Sequence, residues 1–300
     1  MGGAAMGVCV AVGHRALDNS LSSIDQAETY LDLPSLAVIH RSAFGNLRHD
    51  LVINTYPASI EAESIRSLRT ALSLLQPDES GHVVMFTSAV QGEGKSFCAM
   101  NYAAGVAQQG LRTLLVDGDL RRAWLRQALT PVSKKPGLVA CLRDPSLIDD
   151  AISPTETKNL FVLGDLRGST DGAELLEGEN LGRLIQGLRE KFDRIVIDTA
   201  PITAVCDALH FARHIKTICL VVNARSTPRR TVRRACRMLE TTTGRRPAGI
   251  VLNQVRRGRA ASYYYYSNSE AYTETKRTSP VQATLDFIRS LGEPQDSQHS

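Results

Sequence analysis

The sequence predicts an α/β fold, a doubly wound and mostly parallel sheet, on three observations. Five short runs of nearly continuous Val, Ile and Leu recur from His82 onward, helical patterns lie between them, and a glycine-rich loop stands where the first run gives way to a helix. The runs are HVVMFTSA, RTLLVDGD, RIVIDTAP, TICLVVNA and AGIVLNQV. A strand with one wet face alternates apolar with polar residues; these are apolar almost throughout and need cover on both sides, as parallel strands between helical layers do.

Helix is expected from Lys95 to Gln109, closed by Gly110, and from Leu181 to Phe192, where Leu181, Leu184, Ile185, Leu188 and Phe192 share one stripe. Upstream, SIEAESIRSLRTALSLL reads as an uninterrupted helix, and DNSLSSIDQAETYLDLPSLAVI as a small helix and strand approaching the domain. After Val255 the aliphatic pattern stops. RRGRAASYYYYSNSEAYTETKRTSP is polar and basic, the composition of a mobile tail, and a short helix capped by Ser279 is expected beyond it.

Three hundred residues with 43% hydrophobic content suffice for a sizeable core. Lys+Arg 35 against Asp+Glu 31 gives a net charge of +4, too slight to mark a nucleic-acid binder. The arginine-rich stretches RSTPRRTVRRACR and GRRP lack interleaved aromatics, so a solvated helix face or an oligomer contact is preferred to nucleic acid. The six cysteines, Cys9, Cys98, Cys141, Cys206, Cys219 and Cys236, form no CxxC pair and have no histidine at metal spacing, which fits a reducing cytosol. Ala4 to Val12 falls far short of the ~20 apolar residues of a membrane span. It also lacks the basic start of a signal peptide, and Met6 stands where a myristoylation signal requires Ser or Thr.

The chemistry concentrates at three predicted strand ends. SAVQGEGKS, Ser88 to Ser96, joins a strand to a helix. There Gly92 and Gly94 allow successive backbone N–H groups to face one anion, next to the positive end of the helix dipole. Lys95 would reach the β- and γ-phosphates of a nucleotide and the Ser96 hydroxyl would ligate Mg2+. Ala89 replaces the first glycine of the strict GxxxxGK[ST] pattern. RIVIDTAP ends a strand at Asp198, and LLVDGDLRR offers Asp117 and Asp119 at another. An Asp-Gly-Asp turn is common alone, but three such ends together read as one nucleotide site. A fourth feature is SYYYYSNSEAY, Ser262 to Tyr272. Four adjacent tyrosines must point to both faces of a strand, so they read as a sticky turn or edge strand, or as phenolic hydroxyls offered for modification.

These residues resemble a known family, the bacterial tyrosine kinases of capsular and exopolysaccharide biosynthesis, which carry a Walker A, an additional Walker A′ and a Walker B motif. AVQGEGKS is similar to Walker A with Ala89 as opening residue, LLVDGDLRR to Walker A′ through Asp117, Asp119 and Arg121, and IVIDTAP to Walker B through Asp198 and Pro201; Asp207 matches a family aspartate shortly after Walker B. The resemblance runs from about Ala16 to Tyr272 and implies a P-loop NTPase fold of the deviant Walker, MinD/ParA-like type. It implies ATP and Mg2+, with Gly92, Glu93, Gly94, Lys95, Ser96 and Phe97 binding nucleotide. Ser96, Asp119 and Asp198 would serve the metal. Lys95, Asp117, Asp119, Asp198 and Arg121 would be catalytic, with Asp117 accepting or orienting the tyrosine proton.

ESIRSLRTAL resembles the family's E-x-x-R-x-x-R oligomerisation motif through Glu63, Arg66 and Arg69; an ordinary surface ion-pair ladder is the alternative. By the same resemblance Tyr263, Tyr264, Tyr265, Tyr266 and Tyr272 are autophosphorylation sites, reached by a neighbouring active site in a ring-like homo-oligomer. A membrane chain-length determinant segment or partner and a protein-tyrosine phosphatase are further implied partners, with no nucleic acid. The expected plan is a membrane-proximal juncture over 1–50 with a truncated transmembrane stub, a kinase domain over 51–255 and a tyrosine-rich tail over 256–300, at the cytoplasmic face of the bacterial inner membrane. Such a chain would regulate polysaccharide chain length, polymerisation and export. The rivals are a positioning ATPase of the same superfamily, whose signature lysine position is Val90 here, and a catalytically silent adaptor.

Overall fold

All five aliphatic runs are strands of one sheet. A computed structural model describes residues 20–41, 50–75, 82–130, 135–169 and 172–256; the tyrosines at 263–266 and 272, the helix expected after Ser279 and the segment 1–19 lie outside the described residues. In chain order the strands are β1 Ser35–His40, β2 Val83–Ser88, β3 Thr113–Gly118, β4 Ser153–Pro154, β5 Leu160–Leu163, β6 Arg194–Thr199, β7 Thr217–Asn223 and β8 Gly249–Val255. Their spatial order is β1-β8-β7-β2-β6-β3-β5-β4, parallel everywhere except the β4–β5 pair.

The helices are α1 Ile24–Leu31, α2 Val52–Thr55, α3 Ile60–Leu75, α4 Lys95–Ala107, α5 Leu125–Leu129, α6 Leu138–Arg143, α7 Ile148–Ala151, α8 Gly172–Leu175, α9 Asn180–Arg189, α10 Asp207–His214 and α11 Arg229–Thr243. Successive strand residues feed opposite layers. Val83 and Met85 join the core beneath α1, α6, α9, α10 and α11, while Val84 and Phe86 join the one beneath α2, α3, α4 and α5. This two-sided burial is why the strands carry no polar face. On α9, Leu181, Leu184, Ile185 and Leu188 are buried, each contributing about 1.5–3 kcal/mol. Phe192 lies beyond the helix end yet is buried against the same core.

The sheet begins earlier than the expected boundary at residue 51. β1 pairs with β8 in parallel register, Ser35 opposite Ile250 and Ala37 opposite Val251, so the strand expected to approach the domain belongs to its sheet, and Ala27 and Leu31 of the preceding helix join its core. Leu36, Ala37 and Ile39 are buried there, which holds the edge in place. β2 lies between β7 and β6, and the chain leaves it toward β3 on one side but reaches β7 on the other. That reversal opens a crevice at the carboxyl ends of β2 and β6, where ligands sit in open α/β sheets.

Candidate functional site

The phosphate loop leaves β2 at Ser88 and turns into α4 with Gly92 at φ +85° and Gly94 at φ +90°. A Cβ on Gly94 would stand 2.1 Å from Asn253 Nδ2, so both its backbone angle and its surroundings require glycine. Ala89 is fully buried and has no positive φ, which explains why the usual first glycine is dispensable. Its carbonyl accepts from the Thr203 hydroxyl at 2.6 Å, and Ile202 N donates to Ser88 O at 2.9 Å, tying the segment after β6 to the loop.

Glu93, one of the residues expected to bind nucleotide, has its side chain engaged within the protein. Its carboxylate is buried and accepts from Val90 N at 2.7 Å, Asn223 N at 3.2 Å and the Thr227 hydroxyl at 2.7 Å, while its carbonyl accepts from Asn253 Nδ2 at 2.8 Å. The side chain thus fastens the loop to the end of β7 and to Thr227, and the main-chain carbonyl ties it to the end of β8. Burial pushes its carboxyl above the ordinary value, and the hydrogen bonds from Thr227, Val90 and Asn223 pull the other way. Asn223, Thr227 and Asn253 were not singled out as site residues from sequence; the Asn that interrupts the aliphatic run AGIVLNQV was the available signal.

Lys95, Ser96, Asp119 and Asp198 come together as expected. The Lys95 ammonium lies 3.1 Å from Asp119 Oδ2, 3.3 Å from Asp198 Oδ2 and 3.2 Å from Ser96 Oγ. Burial alone would lower its pKa, but Asp198 and Asp119 outweigh it and hold the group above the ordinary lysine value. Asp117 and Asp198 are opposite one another in the β3–β6 register, both fully buried. Asp117 Oδ2 accepts from Trp124 N and Leu125 N, each at 2.9 Å, while Oδ1 has no hydrogen-bond partner among the described residues. Burial, reinforced by the Asp198 charge, pushes Asp117 up to about 7. This placement makes Asp117 an anchor of the turn into α5.

Arg121 Nε lies 3.3 Å from Asp207 Oδ2, and that aspartate is fully buried at the start of α10. The Arg121 side chain remains 43% exposed at the crevice rim. The Phe97 side chain is half-buried against the core beside α4, and its carbonyl accepts from Asn101 Nδ2 at 3.0 Å. On α3, Arg66 pairs with Glu63 at 2.8 Å, whereas Arg69 turns inward to the Gly105 carbonyl at 3.0 Å.

Two carboxylates, Asp119 and Asp198, share one buried ammonium, with Asp117 beside Asp198, so carboxyl groups outnumber the cation. Ser96 Oγ and two carboxylates already converge on a single cation, the Lys95 ammonium. That oxygen set suits a hard divalent ion which keeps most of its waters and takes further ligands from phosphate. Glycine loop, helix amino end and oxygen cluster therefore fit a magnesium-bound nucleoside polyphosphate.

No protein-family model matches the chain. It is 30% identical, over 72% of its length and 94% of the other's, to the putative tyrosine-protein kinase CapB of Staphylococcus aureus. It is 26% identical to the tyrosine-protein kinase ptk of Acinetobacter johnsonii, over 86% of its own length but only 36% of that protein. Among solved structures, the BceF tyrosine kinase domain superposes with a TM-score of 0.71 at 28% identity, covering 79% of this chain and 99% of that one. The septum site-determining protein MinD of Pyrococcus horikoshii OT3, solved with Mg-ADP, shares the fold at a TM-score of 0.50 and 22% identity, over 61% and 76% of the two chains.

Proposed function

The chain belongs to the bacterial tyrosine-protein kinases of capsule and exopolysaccharide biosynthesis, and on that premise we propose that it transfers the γ-phosphoryl group of Mg-ATP to its own C-terminal tyrosines. The observation that supports this reading is the convergence of Lys95 on Ser96, Asp119 and Asp198 at the mouth of a glycine loop.

Phosphoryl transfer proceeds through a loose transition state with charge spread over the phosphoryl oxygens, so positioning and charge neutralisation do most of the work. The loop amides from Gly92 to Ser96 cradle the phosphates, and the Lys95 ammonium neutralises their outer oxygens. Ser96, Asp119 and Asp198 would hold Mg2+, which when bound offsets phosphate charge. A phenol with a pKa near 10 needs a proton acceptor to attack at neutral pH. Asp119, at the solvent side of the cluster, is assigned to that proton, and Asp117 acts as a positioning residue by fixing the turn between β3 and α5. Arg121, held by Asp207, supplies positive charge at the rim.

The finer assignments follow from the same premise. Tyr263, Tyr264, Tyr265, Tyr266 and Tyr272 are the acceptors, a neighbouring copy in a ring presents its active site to them, and a phosphatase resets them. Glu63 and Arg66 are the docking groups of α3, with Arg69 bracing that helix against α4. A membrane chain-length determinant, within a longer chain or as a separate protein, keeps the kinase at the inner membrane. Among the described residues no helix is long and apolar enough to cross a membrane. The domain plan becomes a juncture before residue 20, a kinase body from there to 255, and a tail over 256–300.

The test is intact mass and phosphotyrosine detection after incubation with Mg-ATP, beside Lys95→Met and a variant with Tyr263 to Tyr266 all changed to Phe. Several added phosphates on the wild type, none on Lys95→Met and fewer on the Phe variant are expected. Wild-type protein that binds ATP yet gains no phosphate, even with a membrane partner supplied, would overturn the reading.

A further inference from the structure

The arginine-rich helix α11 has no part in the site described above. It divides into two stripes. Arg229 and Arg233 lie over the Tyr30 ring at 5.2 and 3.8 Å, and Arg233 also donates to the Tyr30 carbonyl, so this stripe clamps α11 to α1. Arg230, Arg234 and Arg237 follow one another at helical spacing on the neighbouring stripe, are exposed, and make no side-chain hydrogen bond or ion pair among the described residues. Arg225, just before the helix, is likewise exposed.

Such an arrangement is unfavourable by itself. Like charges one helical turn apart repel, and cations in the first turn oppose the helix dipole; no acidic side chain stands in that turn to offset them. An anionic partner relieves both costs.

The chain itself carries a candidate at close range. β7 and β8 pair with Asn223 opposite Asn253, and Ala224 N donates to Asn253 O at 2.9 Å. The foot of α11 and the end of β8 are therefore neighbours at the carboxyl end of the sheet. Tyr263 follows Arg256 by seven residues, a reach of at most about 25 Å, comparable with the ~22 Å length of α11. From Arg256 to Tyr272 the segment carries Arg256, Arg257 and Arg259 against Glu270 alone, so unmodified it is repelled by the stripe. Each phosphate on tyrosine adds about −1.5 to −2 charge, so two or more reverse the sign of the segment.

We propose that the phosphorylated tyrosine row of this chain's own tail, Tyr263 to Tyr266, docks on the stripe formed by Arg230, Arg234 and Arg237, with Arg225 at its foot. The inference rests on the reading that these tyrosines are phosphorylated. Arginine forks suit the oxygens of aryl phosphates, and a tethered ligand binds at high effective concentration. The docked tail is held away from any active site. The foot of the stripe also stands close to the phosphate loop, because the Thr227 hydroxyl donates to Glu93.

The test uses a fluorescent synthetic peptide spanning Ser262 to Tyr272, phosphorylated at Tyr263 to Tyr266, and the full chain with those four tyrosines changed to Phe. Anisotropy should show binding that weakens on the order of tenfold or more when Arg230→Ala, Arg234→Ala and Arg237→Ala are combined, and none for the unphosphorylated peptide. Equal binding by chain and triple variant, or no binding at all, would overturn the proposal. So would capture of the chain through this stripe by phosphatidylcholine–phosphatidylserine vesicles with no phosphopeptide binding, which would make a membrane surface the occupant. Because the peptide carries its phosphates from synthesis, a chain that fails to phosphorylate itself leaves this result intact, and the two readings fail separately.

Discussion

The cluster around Lys95 and the arginine face of α11 hold similar numbers of charges in opposite surroundings. At the strand ends, Asp117 and Asp198 are fully buried and Lys95 nearly so. There each charge depends on a specific partner, because an uncompensated buried ion is expensive. On α11 the arginines are exposed, water and salt screen them, and any one of them contributes little to stability. Buried charge shapes the apoprotein as well as its chemistry; exposed charge of one sign shapes what the protein meets.

The largest expected effect comes from removing the central cation. Lys95→Met should lower phosphorylation by about a thousandfold or more. It should also cost the ligand-free protein about 3 kcal/mol in urea unfolding, since Asp119 and Asp198 lose their shared partner. Unchanged stability would break the contrast at its strongest point.

Next comes the loop that carries this cation. Gly94→Ala forces a Cβ onto Asn253 at a positive φ and should cost roughly 3 kcal/mol together with nucleotide binding. Gly92→Ala, at φ +85° with nothing within 4 Å, should cost only about 1 kcal/mol. Equal losses at the two positions would show that backbone strain, rather than the Asn253 contact, governs the loop.

A smaller, pH-dependent effect is expected at Asp117. Its folded pKa of about 7 lies above the unfolded value of roughly 3.9, so the folded state holds a proton that the unfolded state has lost across that window. Its contribution is full below about pH 4 and declines as pH rises toward 7. Without Mg2+ or nucleotide, Asp117→Asn should therefore gain stability relative to wild type on going from pH 4.5 to 7.5. A constant difference would place the carboxyl in its ordinary range.

The smallest effect belongs to the exposed face. Arg234→Ala should leave unfolding stability within about 0.5 kcal/mol. A larger loss would mean that the stripe holds the fold rather than a partner.

The Lys95 cluster was legible in the sequence because its parts sit at strand ends that announce themselves as aliphatic runs followed by Gly-Lys-Ser, Asp-Gly-Asp and Asp. The inward turn of Glu93 was not, since a glutamate between two loop glycines looks like a ligand contact until β7 and β8 are brought beside it. The surroundings of Asp117 were hidden for a related reason. Spacing places both Asp117 and Asp119 at one strand end, but only the packing of α5 shows which of them is closed off by backbone N–H groups. The short strand β5 and the helices α5 to α8 were missed because runs of four to six residues carry too little periodicity to read.

The sequence by itself determined the parallel sheet, its two-sided cover and the chemistry at three strand ends, because hydrophobic periodicity and glycine requirements are local properties of the chain. Only the tertiary structure decided that β1 closes the sheet edge, that Glu93 fastens the loop, that Arg69 turns inward and that α11 leaves one arginine stripe unpaired among the described residues. Each depends on which distant segments become neighbours, and burial and partner choice are set by that proximity.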